Sequence, residues 1–103
     1  MKVKGRIPYP HPGSYLKEIL DDLGISMYRF AKHIEVPENR ISRLVQGKTS
    51  ITIDTAMRLS KALGTSVQMW LNLQMGYELE EMKINGDERY DTILELPELS
   101  ANL

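Results

Sequence analysis

Residues 37 to 46 read Pro-Glu-Asn-Arg-Ile-Ser-Arg-Leu-Val-Gln. Wound as a helix, Ile41, Leu44 and Val45 fall into one apolar stripe, and Glu38, Asn39, Arg40, Ser42, Arg43 and Gln46 are left on the open side. Those are the side chains that read base edges: Arg bonds guanine through two donors, Asn does the same for adenine, and Glu accepts from cytosine. Arg43 follows Asn39 and Arg40 by about one turn, so the three share a side. Glu38, Asn39, Arg40 and Arg43 are therefore the candidate base contacts. Ser26, Tyr28, Arg29, Lys32, Ser42, Gln46, Lys48 and Thr49 surround them as candidate phosphate contacts, with the helix-start amides behind Ser26 adding donors. A solvated helix of mixed charge has a similar composition; the short helix and tight turn just before this one favour the groove-reading alternative.

Catalytic chemistry has no comparable support. The two histidines, His11 and His33, lack a His-Glu-x-x-His spacing, and there is no Gly-rich phosphate loop. Asp21 and Asp22, like Glu80 and Glu81, are adjacent on a helix and so diverge by about 100°, which is poor geometry for an acid and base pair. The expectation is a protein that is not an enzyme, with no cofactor and no metal site.

The elements that must position the readers follow from cap and turn signals. Residues 1 to 12 hold Pro8, Pro10 and Pro12 and read as an N-terminal arm, ending where Pro12, Gly13 and Ser14 open a helix. Its stripe is Leu16, Ile19, Leu20 and Leu23, closed by Gly24. Ser26 caps a second helix with stripe Met27, Phe30, Ala31 and Ile34. Only Glu35, Val36 and Pro37 separate it from the third, which Gly47 ends, so the two short helices must cross steeply as a helix-turn-helix. Thr52 caps a fourth helix over residues 53 to 63, with Asp54 in its first turn and Gly64 as its stop. Ser66 caps a fifth, running to about Lys83.

That fifth helix is apolar around much of its circumference, through Val67, Met69, Trp70, Leu71, Leu73, Met75, Tyr77, Leu79 and Met82. A single packed face needs a stripe only about 100° wide. The excess points to a second surface, and Trp70, Leu73, Gln74 and Tyr77 are the expected homodimer contacts; the alternative is a central helix of the core. The domain thus spans residues 13 to 83, and residues 84 to 103 form an acidic tail interrupted by Pro97. Within the tail, residues 92 to 96 suit a short strand or a docking segment, and lack of structure is the default expectation.

Composition is consistent with one small domain: 103 residues, 42% hydrophobic, 26% charged. The absence of cysteine excludes a disulfide scaffold, a thiolate zinc site and a cysteine nucleophile, and suits a reducing cytoplasm. No apolar run approaches the ~20 residues of a membrane span, and the start has no signal-peptide pattern. A cytoplasmic protein is expected. The net charge of -1 hides a division. Residues 1 to 77 carry 11 Lys and Arg against 6 Asp and Glu, whereas residues 78 to 103 carry 2 against 8. A basic body raises the expectation of a nucleic-acid surface, and an acidic tail that of a separate task.

Residues 26 to 47 resemble the helix-turn-helix of the Xre/Cro repressor family. The longer succession is similar to the HigA antitoxins, also called VapI or virulence-associated protein I. It comprises His11-Pro12-Gly13, Val36-Pro37 with Asn39-Arg40-Ile41-Ser42, Gly47-Lys48, Ile51-Thr52, Asp54-Thr55-Ala56, Arg58-Leu59, Gly64-Thr65-Ser66, and Trp70-Leu71-Asn72-Leu73-Gln74. The resemblance covers roughly residues 7 to 80. It implies an all-α, five-helix bundle of lambda-repressor-like type, a homodimer, an inverted-repeat operator in double-stranded DNA, and a HigB-like toxin partner, a RelE-like mRNA endonuclease. Two positions depart from the pattern: Glu35 and Ser50 stand where the family usually has Gly. A non-glycine at a left-handed Glu35 would cost roughly 1–2 kcal/mol.

Overall fold

The computed structural model describes residues 10–101. Five helices form the body: α1 (Pro12–Leu23), α2 (Met27–His33), α3 (Glu38–Val45), α4 (Ile53–Leu63) and α5 (Val67–Asn85). A 3-10 turn at Glu88–Tyr90 and a one-turn helix α6 (Pro97–Ala101) follow. No strand occurs among the described residues. The fold is the all-α bundle expected from the stripes and caps. Of the expected N-terminal arm, residues 1–9 lie outside the described residues.

Local chemistry sets each helix end. Ser26, Thr52 and Ser66 accept from the backbone N–H groups of Arg29, Thr55 and Met69 and so cap α2, α4 and α5. At α1 the cap is His11, whose Nδ1 accepts from the Gly13 N–H at 2.9 Å, with Pro12 as the first helical residue. The arm therefore ends one residue earlier than the proline pattern indicates. Gly24 and Gly64 close α1 and α4 in the left-handed conformation.

The stripes converge on one core. α1 packs on α3 and α5, α2 on α3, and α4 on α5. Leu16, Leu20, Phe30, Ile41, Leu44, Leu59 and Trp70 are buried together, each contributing on the order of 1.5–3 kcal/mol of apolar burial. Gly13 is what lets α1 reach α3, because a Cβ there would stand 1.8 Å from the Leu44 carbonyl oxygen.

α5 corrects two expectations. Trp70 is completely buried; its ring lies 5.5 Å from that of Tyr15 and its Nε1 donates to Thr65 Oγ1 at 2.7 Å. Gln74 is also buried, with Oε1 accepting from the Ile51 N–H and Nε2 donating to Glu78. Both hold the body together and offer no surface to a second subunit. The exposed apolar residues of α5 are instead Met75, Leu79, Met82 and Ile84, the first three at spacings of four and three, with Leu73 and Tyr77 half-buried beside them.

α5 continues to Asn85, so the tail begins at Gly86. The strand expected over residues 92 to 96 does not form; that stretch is irregular and Pro97 starts α6. Contrary to the default expectation, the tail holds two short turns of helix, yet Ile93, Leu94, Leu96 and Leu99 remain 54–81% exposed.

Candidate nucleic-acid interface

The helix-turn-helix is built around a backbone outlier. Glu35 has φ 65°, the left-handed region, and turns the chain between α2 and α3. The Val36 N–H reaches back to the Ala31 carbonyl, and Pro37 starts α3 with its extended backbone. At the other end Gly47, with φ 76°, reverses the chain so that the Lys48 N–H bonds the Arg43 carbonyl. Lys48 and Thr49 are thereby placed beside the last turn of α3.

On α3 the buried residues are Ile41 and Leu44, and Glu38, Asn39, Arg43 and Gln46 are exposed. Ser42 is half-buried and donates to the Asn39 carbonyl at 3.2 Å, so its hydroxyl serves its own helix. Across α2, Tyr28, Arg29 and Lys32 are exposed, with the Lys32 ammonium 5.8 Å from the centre of the Tyr28 ring. Ser26 Oγ is occupied in capping α2, at 3.1 Å from the Arg29 nitrogen.

Arg40 differs from the other sequence-selected readers. Its Nη2 donates to Asp54 Oδ2 and to Thr55 Oγ1, both at 2.7 Å. Arg58, one turn beyond Asp54 on α4, donates to the same carboxylate and, through Nη1, to the Ile34 carbonyl at 2.8 Å. One carboxylate at the head of α4 thus joins α3 to the end of α2. The Arg40 and then the Arg58 hydrogen bonds hold the Asp54 carboxyl below its ordinary pKa. Arg40 is consequently bound up in tying α3 to α4, and its placement argues against free base reading. Asp54, Thr55 and Arg58 entered the sequence reading as helix-start and family-motif residues, not as partners of Arg40; the Asp54–Arg58 spacing of four was visible there, but the Arg40 contact, 14 residues away, had no local signal.

Beside Arg43 and Arg40, the residues Thr49, Ser50, Thr52 and Thr55 line a recess of about 300 Å³. This open, hydroxyl-rich hollow next to two guanidinium groups is the chemistry that receives a phosphate backbone. Among the described residues no group of His, Asp and Glu has the arrangement of a metal site. No helix of the described residues is long and apolar enough to cross a membrane.

The helix-turn-helix family pattern matches residues 16–70, more than half of the chain. The chain belongs to the Xre-type helix-turn-helix family. It is 40% identical over 78 residues to virulence-associated protein I of Dichelobacter nodosus, covering 75% of this chain and 72% of that one. Among solved structures it is similar to an addiction module antidote protein of the HigA family from Coxiella burnetii, with 36% identity, a TM-score of 0.77, and coverage of 85% and 97% of the two chains. It is also similar to the Pseudomonas aeruginosa antitoxin HigA solved with higBA promoter DNA, at 32% identity, a TM-score of 0.76, and 85% and 98% coverage. The resemblance read from the motifs is thus confirmed. The fold is that of HigA-like DNA-binding antitoxins and regulators, which are not an enzyme family.

Proposed function

We propose that this Xre-type protein is a HigA-type antitoxin that represses its own operon and neutralises a HigB-like, RelE-like mRNA endonuclease. The observation that carries the DNA half is the exposed side of α3, which presents Glu38, Asn39, Arg43 and Gln46. Asn39 and Arg43 read base edges, each good bidentate pair being worth roughly 1–3 kcal/mol of discrimination. Tyr28, Arg29, Lys32, Lys48 and Thr49 hold phosphates on either side. The likeness to a HigA solved with promoter DNA supports this orientation.

The protein acts as a homodimer whose two α3 helices sit about 34 Å apart, so the operator is an inverted repeat. With Trp70 and Gln74 buried, the dimer face is the stripe Met75, Leu79 and Met82, flanked by Leu73 and Tyr77. The test has two parts. Gel shift with the DNA upstream of the gene should give a specific complex, and co-expression with the neighbouring reading frame should yield a co-purifying basic protein whose growth arrest is relieved. No specific complex overturns the repressor reading; a specific complex without a toxin leaves a stand-alone regulator.

A further inference from the structure

Two hollows of about 280 and 120 Å³ lie between α2 and α4 and share His33 and Ala62, so they form one groove. Its floor is apolar, from Leu23, Ile25, Phe30, Ala62 and Leu63. Its rim carries Arg29, Lys61 and Arg58, the last shared with Asp54, with His33 beside them and Glu35 the one carboxylate among the lining residues. An apolar floor inside a basic rim fits a segment in which apolar and acidic side chains are interspersed.

The chain carries such a segment. Residues 90 to 101 hold Asp91, Glu95 and Glu98 and no Lys or Arg. Ile93, Leu94, Leu96 and Leu99 lie between and beside these acids, and all four are exposed. We propose that the α2–α4 groove receives residues 93 to 99 of a second copy of this chain. The chain's own tail does not fill the groove: none of residues 90 to 99 is among its lining, and Ile93, Leu94, Leu96 and Leu99 stand exposed elsewhere on the same chain.

The receptor for the test is the full-length chain carrying Ile93→Ser and Leu94→Ser, which disables its own tail at two exposed positions. The probe is a fluorescein-labelled peptide of residues 90 to 101, followed by anisotropy. Saturable binding is expected. Lys61→Glu in the receptor, at an exposed site on α4, should weaken it about threefold. Ala62→Glu, which puts a carboxylate on the shared floor, should weaken it about tenfold or more. Absence of saturable binding overturns the proposal. So does indifference to both substitutions, or loss through Lys48→Glu instead, which would place the tail on the DNA-facing side. The measurement involves neither DNA nor toxin, so its failure leaves the proposed function standing.

Discussion

Arg40 and Asp54 meet at 2.7 Å across the gap between α3 and α4, and this contact sets the first arginine of α3 apart from the exposed side chains of that helix. A guanidinium held by a carboxylate and a threonine hydroxyl positions the helix. A guanidinium in solvent, as at Arg43, is available to a base. Replacing Arg40 or Asp54 should therefore change how α3 is seated, with thermal stability falling and operator affinity falling with it. The conservative Arg40→Lys, which keeps the charge but loses the fork, should restore stability only in part.

The same contact has an acid limit. The Asp54 pKa is lowered by its hydrogen bonds from Arg40 and then Arg58, relative to an unfolded value near 3.8. A carboxyl depressed in the folded state contributes stability that is present above the unfolded value and lost as pH falls through the folded one. Acid denaturation of the native chain should thus include a component below pH 3.8 that is missing in Asp54→Asn, as read by far-UV circular dichroism.

His11 behaves in the opposite chemical sense with a related outcome. Its Nδ1 must be unprotonated to accept from the Gly13 N–H, and burial lowers its pKa below 6.5 against the opposing effects of the Thr49 backbone, Glu81 and Glu78. The stabilisation is complete above pH 6.5 and declines as pH falls toward the folded value, because the unfolded chain takes up the proton first. His11→Asn keeps a good N-cap and should remove this part of the pH dependence, whereas His11→Ala should cost about 1 kcal/mol near neutrality. Thermal melts across the acid range of the His11 titration check both.

Glu35 holds a left-handed backbone that favours glycine, with φ 65°. Glu35→Gly should relieve roughly 1 kcal/mol of strain, less the added entropy of a glycine in the unfolded chain, and raise the melting temperature. At Gly13 the reverse holds. A Cβ 1.8 Å from the Leu44 carbonyl forces α1 and α3 apart, and Gly13→Ala should destabilise by about 3 kcal/mol or more. Urea melts of the two variants should move in opposite directions.

The helices and the exposed side of α3 were legible because they depend on near neighbours. Ser26, Thr52 and Ser66 cap residues three positions on, and the stripe of α3 separates Ile41 and Leu44 from Asn39 and Arg43 without reference to the rest of the chain. What local signals did not show is the set of internal partners, which depends on the packing of separate elements. Trp70 looked like a partner-facing residue until Thr65 and Tyr15 enclosed it, Gln74 until the Ile51 backbone bonded it, and Arg40 until α4 folded against it. The apolar excess on α5 was real, but it lies at Met75, Leu79 and Met82. The Glu35 departure was visible only through the family resemblance, which puts Gly there; the left-handed backbone at φ 65° is its physical reason.

Base reading and phosphate holding predict different signatures on DNA. Arg43→Ala and Asn39→Ala remove exposed side chains and leave the fold intact, so melting temperature should hold while operator affinity falls by about 1–3 kcal/mol for each. Lys48→Ala should instead weaken binding to any sequence and reduce the slope of log affinity against log salt by about 0.9. Gel shifts on operator and scrambled DNA at several salt concentrations separate the two. Unchanged operator affinity in both α3 variants would move the recognition surface off this helix, and a loss confined to Lys48→Ala would leave a protein that grips DNA without reading it through these residues.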